Sequence, residues 1–178
     1  MLTDLSLLAG AVEEKRDENR AFLQFLKEKN RASPLFILTT VSEFCRDFIT
    51  HFDCTTCGRC CCELSIPITP IDVRRLAVRL GLTDEQMAQK FFDVQKEGGK
   101  KTCPFLDKTS CSIYHARPAV CRQFPYLDTE NLISSIPAID VAQLMERTAL
   151  CIIVFNAVEA LKKELGFAPG GATQRVET

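Results

Sequence analysis

The sequence predicts a mainly α-helical fold: a helical domain with an irregular, metal-stapled, cysteine-rich centre and a small β-hairpin. Apolar residues recur at helical spacing towards both ends of the chain, and eight of the ten cysteines fall between Cys54 and Cys121. At about 150 residues per domain, 178 residues predict one globular unit. We divide it into an N-terminal helical hairpin (1–50), a cysteine-cluster domain (51–127) and a C-terminal helix (128–178) that packs on the same core.

The first 50 residues predict two helices. The apolar positions of the first are Leu5, Leu8, Val12, Phe22, Leu23 and Leu26. Ser33 as N-cap and Pro34 as the first helical residue begin the second helix. Its apolar face consists of Leu38, Val41, Cys45, Phe48 and Phe52. Because Cys45 lies within that face, we expect it to be a buried small hydrophobic residue, with metal ligation as the minority alternative.

Capping residues predict two more helices after the cysteine cluster. Thr69 as N-cap and Pro70 begin the third helix, and Gly81 ends it. The capping box that begins at Thr83 starts a fourth helix, which continues to about Phe92. A loop is expected at 98–101.

The segment 102–127 is predicted to be irregular, with a hairpin about the polar turn Asp107–Ser110 and one or two helical turns over Pro118–Phe124. A last helix is predicted from roughly Asp140 to Leu165, stopped by Gly166, with a frayed tail at 170–178. The predicted core consists of Val41, Phe48, Leu144, Val154 and Val158.

Composition and charge exclude several classes of protein. The net charge of −1 argues against a nucleic-acid-binding protein and against a polybasic membrane binder, and no apolar run approaches the roughly 18 residues of a membrane span. The N-terminus has no basic region and carries Asp4, so we expect a cytoplasmic protein without a signal peptide. In a reducing compartment, thiols stay free or bind metal. The alternative is a periplasmic protein with disulfides.

The strongest motif is two overlapping C-x-x-C units, Cys54 to Cys57 and Cys57 to Cys60, followed directly by Cys61 and Cys62. Cysteines three residues apart can turn towards one ion or cluster, as in the C-x2-C-x2-C run of iron–sulfur proteins. Gly58 permits the positive φ that such a loop often needs. A fourth ligand must come from elsewhere in the chain.

Neighbouring side chains diverge, so we expect Cys60 and Cys61 to serve two centres or one polynuclear cluster. The eight predicted metal ligands, enough for two sites of four, are Cys54, Cys57, Cys60, Cys61, Cys103, Cys111, Cys121 and Cys151. Cys45 and Cys62 are left over. Four thiolates leave a net charge of about −2 around Zn²⁺ or a doubly positive cluster. Arg59, Arg117 and Arg122 are predicted to offset it as cofactor-binding residues, whereas His51 and His115 are expected to be ordinary surface residues.

The spacing favours an iron–sulfur cluster, of the 4Fe–4S type, over zinc. Zinc modules usually pair their ligands in two compact knuckles. Here Cys103, Cys111 and Cys121 are spread at intervals of 8 and 10. Zinc remains the alternative cofactor.

A wider set of residues resembles a known family. The resemblance rests on the run from Phe52 to Cys61, on Cys103-Pro104-Phe105-Leu106, on Cys111-Ser112-Ile113-Tyr114, and on Arg117-Pro118 with Cys121-Arg122-x-Phe124-Pro125. Together these are similar to the YkgJ-type cysteine-cluster family, a proposed zinc- or iron-chelating domain whose motif flagellin lysine N-methylases share. The resemblance covers roughly 52–127, with Cys151 as an additional late ligand. It implies that the family's metal ligands are Cys54, Cys57, Cys60, Cys61, Cys103, Cys111 and Cys121; Cys62 departs from the pattern.

These observations favour an iron–sulfur protein with a redox or methyl-transfer-related role. The alternative is a non-enzymatic, zinc-stabilised interaction module, in which 1–50 offers a surface to a protein partner. Metal storage or delivery is a third option. Nucleotide-binding motifs and H-E-x-x-H are absent, so a nucleotide site is unsupported and a zinc hydrolase is disfavoured. The sequence assigns no catalytic residue and leaves open whether the protein is an enzyme.

Overall fold

The fold is taken from a computed structural model, which describes residues 1–28, 33–64, 68–96, 103–125 and 141–169. It divides into two compact units: residues 1–52 with 125–178 form unit 1, and residues 53–124 form unit 2. The described part of the chain is mostly helical and its only strands form one small hairpin, which confirms the mainly α class. That all three predicted segments share one core stays a prediction.

The N-terminal part of unit 1 contains a 3₁₀ turn and three helices. Their bounds are Leu5–Leu7, then α1 (Leu8–Glu14), α2 (Arg16–Glu28) and α3 (Pro34–Ile49). The predicted cap is confirmed, because the Ser33 hydroxyl accepts a hydrogen bond from the Phe36 amide at 3.1 Å. The first predicted helix is interrupted at Lys15, whose backbone leaves the helical region. The second ends at Ile49, before Phe52, where the Thr50 hydroxyl bonds back to the Asp47 carbonyl.

The single C-terminal helix predicted from Asp140 to Leu165 was wrong. Two helices occur instead, α9 (Val141–Arg147) and α10 (Ile152–Glu164); helices α4–α8 belong to unit 2. The Thr148 hydroxyl donates to the Met145 carbonyl at 2.6 Å, and Cys151 is extended (φ −139°, ψ 120°), so the helix cannot continue. The helix stop at Gly166 is confirmed by its φ of 61°.

The core of unit 1 lies mainly between α3 and α10, and α9 packs on α2. The predicted core is confirmed at Val41, Leu144, Val154 and Val158, all of them buried. The prediction was wrong for Phe48, which is only half-buried: its ring stacks on that of Phe44, itself half-buried one helical turn earlier, with 6.3 Å between ring centroids. Cys45 is fully buried, as the apolar face of its helix predicts.

One buried ion cluster joins α2 to α10. The Lys162 side chain is 4% exposed, and its ammonium donates to Glu18 Oε1 at 2.8 Å, to Asn19 Oδ1 at 2.6 Å and to Glu159. Lys15 also contacts Glu18, at 2.7 Å. A buried ammonium is tolerated only with such partners, so this cluster fixes the two helices against each other.

Unit 2 is built from short elements. They are α4 (Cys54–Cys57), α5 (Arg59–Glu63), α6 (Pro70–Leu80), α7 (Asp84–Lys96), β1 (Leu106–Asp107), β2 (Ser110–Cys111), a 3₁₀ turn (Tyr114–Ala116) and α8 (Ala119–Gln123). The predicted caps of α6 are confirmed, with Thr69 accepting from the Asp72 amide and Gly81 at φ 66°. The Thr83–Gln86 capping box is also confirmed. The predicted loop at 98–101 and the tail at 170–178 lie outside the described residues.

A small apolar core holds unit 2 together. Its buried members come from α6, α7 and the hairpin region: Leu76, Ala77, Met87, Phe105, Ile113 and Ala116. The predicted hairpin is confirmed as an antiparallel pair in which Leu106 lies opposite Cys111. Cys103 and Cys111 both pack against this core, so the apolar cluster supports one side of the cysteine-rich region. Among the described residues, no helix is long and apolar enough to cross a membrane.

Candidate metal centre

The overlapping C-x-x-C units fold as two short helices separated by one glycine. The single turn of α4 brings Cys54 and Cys57 onto one side, and the Asp53 carboxylate caps it by accepting from the Thr55 amide at 2.9 Å. Gly58 follows at φ 60°, which confirms the predicted left-handed position. Because the left-handed Gly58 ends α4, a new helix, α5, begins at Arg59 and carries Cys60 and Cys61.

Gly58 also lies directly against the hairpin turn. A Cβ atom at this position would approach the Thr109 carbonyl oxygen to 2.5 Å, closer than such atoms can come. Nearby, the Cys103 amide donates to the Cys61 carbonyl at 3.3 Å. The cysteine-rich helices are therefore docked on the segment that carries Cys103 and Cys111.

Four cysteines form a set in which every pair interacts electrostatically. The charges of Cys61 and Cys111 raise the pKa of Cys103, and that of Cys61 raises the pKa of Cys111. The charges of all three raise the pKa of Cys121. We call Cys61, Cys103, Cys111 and Cys121 the thiol quartet. Its members come from α5, the segment before β1, β2 and α8, so sulfurs from distant stretches of sequence gather in one region.

Backbone amides donate hydrogen bonds to two of these sulfurs. The N–H group of Phe105 lowers the pKa of the Cys103 sulfur and that of Ile113 lowers the pKa of the Cys111 sulfur, whereas the Leu106 N–H donates to the Cys103 carbonyl at 3.0 Å. Such bonds stabilise the negative charge of a thiolate and tune sulfur ligands in iron–sulfur and zinc sites. The Cys-Pro-Phe-Leu and Cys-Ser-Ile turns are therefore preorganised for thiolate ligands.

Without a metal, the quartet is predominantly protonated at neutral pH. Burial raises the pKa of Cys103 and Cys111, and burial with the neighbouring thiols raises the pKa of Cys121 to about 12. The pKa of Cys61 is also raised, first by its hydrogen bond with Cys60 and then by burial. A metal must therefore displace protons as it binds.

In the part of the chain that the structure describes, Arg117 is the cation whose charge acts on several of the cysteines. Its charge lowers the pKa of Cys54, Cys61, Cys111 and Cys121, against the larger opposing effects described above. The guanidinium lies 3.7 Å from the centroid of the Tyr114 ring, and its Nε donates to the Tyr114 carbonyl at 2.9 Å. The side chain is therefore held in place beside the sulfurs.

The other predicted arginines and the histidines lie elsewhere. Arg122 is exposed and donates to the Arg117 carbonyl at 3.1 Å, and Arg59 is half-buried at the start of α5. His51 and His115 are both exposed, as predicted for ordinary surface residues. Arg117 is thus the predicted arginine for which the structure gives a direct electrostatic link to the thiols.

The remaining cysteines divide between the units. In unit 2, burial raises the pKa of Cys54, and the charge of Cys57 adds to the increase; Cys60 is hydrogen-bonded to Cys61, and Cys62 is half-buried. Cys151 belongs to unit 1, where its charge adds to the effect of burial in raising the pKa of Cys45. The assignment of all eight predicted metal ligands stays a prediction, for the quartet as well as for Cys54, Cys57, Cys60 and Cys151. None of the ten cysteines, all of which lie within the described residues, forms a disulfide in the structure.

Sequence reasoning missed a polar pair on α6. Asp72 is buried, and its carboxylate accepts from the Ala119 amide at 3.2 Å and from Arg75 at 3.3 Å. Arg75 in turn donates to the carbonyls of Ala116 and Arg117. The spacing of Asp72 and Arg75 predicts a helical ion pair, but no local pattern indicates their partners more than forty residues away.

The thiols are adjacent but do not form a finished coordination shell. Within the described residues, no three cysteine, histidine or acidic side chains converge tightly enough to hold an ion as they stand. Neutral thiols have no reason to crowd together, whereas thiolates converge when they bind a cation. Four thiols with amide donors and a nearby cation have the chemistry that zinc or an iron–sulfur cluster requires, so the residues fit such a group.

The fold and this thiol quartet define a cysteine-cluster metal-binding domain. Residues 53–151, more than half of the chain, match the CxxCxxCC family, a proposed zinc- or iron-chelating domain. The chain therefore belongs to this family. It is 31% identical over 85 residues to an uncharacterised protein of Methanocaldococcus jannaschii. The aligned region covers 42% of this chain and 44% of that protein. The chain thus spans less than half the length of that relative. No solved structure matches the chain.

Proposed function

We propose that the thiol quartet holds an iron–sulfur cluster and that the protein has a redox role. The observation that carries the proposal is the mutual interaction of Cys61, Cys103, Cys111 and Cys121, the number of thiolates that one 4Fe–4S cluster uses. When bound, such a cluster accepts or donates one electron. The chain supplies the ligands, the amide donors to sulfur and a nearby guanidinium.

The number and spacing of the cysteines support an iron–sulfur cluster over a single zinc ion. Unit 2 contains eight cysteines, twice the number that one zinc site needs, and they include the C-x2-C-x2-C run typical of cluster ligation. Four thiolates also close the coordination shell of a zinc ion, leaving no position for a reactive water. Hydrolysis at the quartet is therefore disfavoured.

A zinc-stabilised interaction module is the second candidate. The small core of unit 2 and its two-residue strands favour it, because such a unit buries little apolar surface and gains much from a bound metal. In this case the metal would be structural, and residues 1–50 remain the proposed surface for a protein partner. A reducing cytoplasm, which keeps cysteines from forming disulfides, suits both candidates.

Metal and sulfide analysis of anaerobically purified protein separates the two candidates. The iron–sulfur proposal predicts a brown preparation with about four iron and four sulfide per filled quartet, a sulfur-to-iron absorption band and a Mössbauer spectrum of a cluster. Cys121→Ser should lose most of this colour, whereas Cys45→Ser, in the core of unit 1, should retain it. A colourless anaerobic preparation with stoichiometric zinc would overturn the proposal and favour the second candidate.

The methyl-transfer role rests on the resemblance to flagellin methylases alone and stays a prediction. It would require binding of a methyl donor to the chain. Equilibrium dialysis of the cluster-loaded protein against a labelled sulfonium methyl donor tests this point. Saturable binding supports the role, and its absence at millimolar donor removes it.

A further inference from the structure

A buried acid–base pair joins α6 to the chain segment that carries Cys121. The Asp72 side chain is 5% exposed, and the Thr69 hydroxyl donates to it at 2.8 Å. Its other oxygen accepts from the Ala119 amide and from Arg75, at 3.2 and 3.3 Å. Burial alone would raise the pKa of Asp72, but these hydrogen bonds outweigh it and lower the pKa, so the carboxylate stays ionised.

Arg75, the other member of the pair, binds the backbone just before Ala119. Its guanidinium donates to the Ala116 carbonyl at 2.9 Å and to the Arg117 carbonyl at 2.7 Å. With the bond from Ala119 to Asp72, three of the four residues 116–119 have their backbone tied to α6. Arginine suits this role because its planar donors can meet two acceptors at once.

The tied segment leads directly into the metal centre. The Cys121 amide donates to the Pro118 carbonyl at 3.1 Å at the start of α8, so the backbone position of Cys121 depends on that of Pro118. Arg117, the cation beside the sulfurs, lies within the tied segment itself. Both the quartet sulfur of α8 and its neighbouring cation therefore take their position from α6.

We propose that Asp72 and Arg75 form a clamp that positions Cys121 and Arg117 at the metal centre. The proposal rests on the proposed function, because it takes the quartet to be the metal site. Helix α6 contains no cysteine, so it would control metal affinity without supplying a ligand. Groups that hold metal ligands in place typically change affinity by about 10–100-fold when they are altered.

Competition of the full chain with a chelator for Co²⁺ tests the clamp, because cobalt absorption reports both occupancy and the thiolate shell. Asp72→Asn removes the charge that holds Arg75 and Ala119, so we expect about 10–100-fold weaker binding and a weaker ligand-field band. The matched control is Arg74→Gln on the same helix, which breaks an exposed pair with Asp84 at 3.6 Å. It should bind cobalt like the unaltered chain.

A double-substitution cycle with Cys121→Ser separates positioning from general stability. If the clamp acts through Cys121, Asp72→Asn causes little further loss of affinity in the Cys121→Ser background. An equal loss in both backgrounds, or unchanged affinity in Asp72→Asn, would overturn the clamp. Arg75→Lys keeps the charge but cannot span both carbonyls, so it should show a smaller loss in the same direction, and it serves if Asp72→Asn does not fold. Absence of cobalt binding by the unaltered chain would instead overturn the proposed metal site.

Discussion

Replacing Gly58 by alanine tests how the cysteine-rich helices dock on the hairpin. Two costs arise at this position. First, φ of 60° is unfavourable for a residue with a side chain, by about 1–2 kcal/mol. Second, the new Cβ would lie 2.5 Å from the Thr109 carbonyl oxygen and 2.9 Å from its carbonyl carbon, both of them backbone atoms that no side-chain rotation can move away.

Overpacking of this kind costs about 1–3 kcal/mol, so the two costs together are about 2–5 kcal/mol. Gly81→Ala is the matched control, because Gly81 has φ 66° but no atom within 4 Å of the added Cβ. It should lose only the conformational cost, about 1–2 kcal/mol. The difference between the two variants isolates the contact between Gly58 and the hairpin turn.

Urea denaturation of the metal-free chain, followed by circular dichroism, measures the free energy of unfolding of both variants. Cobalt titration shows whether Cys61, on α5, can still bind metal. We expect Gly58→Ala to be less stable than Gly81→Ala by at least about 1 kcal/mol and to bind cobalt more weakly. Equal stabilities within about 0.5 kcal/mol, together with equal cobalt affinities, would refute the docking of α4 and α5 against Thr109.

Three further predictions concern the buried lysine, Cys45 and the quartet. Lys162→Met should lower the free energy of unfolding by about 2 kcal/mol, less than for a fully buried pair because Glu18 is 18% exposed and keeps its contact with Lys15. Arg16→Gln, in an exposed pair, should change it by under about 0.5 kcal/mol. Equal effects in urea denaturation would contradict the buried ion cluster. Burial raises the pKa of Cys45 above its ordinary 9.0, so the free energy of unfolding should fall as pH rises above 9. Cys45→Ala should remove the part of this fall that the thiol causes. Parallel pH profiles of the two proteins would show that the folded thiol ionises freely. Metal loading at pH 7 should release about four protons from the unaltered quartet and about three from Cys121→Ser. Calorimetry in two buffers measures the number of protons released. Equal release from the two proteins would count against Cys121 as a ligand.

Local features of the fold were predictable because local chemistry decides them. Ser33, Thr69 and the Thr83 capping box each satisfy amides within three residues of themselves, so the sequence alone identifies these helix starts. The left-handed conformation of Gly58 was predictable for the same reason. The break between α9 and α10 was not, because Leu144, Cys151 and Val154 keep the apolar spacing of a single helix across it.

The candidate site was predictable in composition but not in arrangement. The motif identified the cysteines, yet no spacing rule predicts that Cys61, rather than Cys60 or Cys62, interacts with Cys103, Cys111 and Cys121. That choice depends on how α5 docks on the hairpin. The roles of Asp72 and Arg75 likewise depend on contacts more than forty residues away, which only the folded chain brings together.

X-ray absorption at the metal edge of the anaerobically purified protein tests the shared centre most directly. The account predicts a shell of about four sulfur neighbours at about 2.3 Å, with an additional iron–iron distance if a cluster is present. In Cys121→Ser the shell of a single metal ion should lose about one of its four sulfur neighbours, whereas a 4Fe–4S cluster should be largely lost together with its iron–iron distance. A shell of mainly nitrogen and oxygen, or a sulfur shell unchanged by Cys121→Ser, would contradict the account.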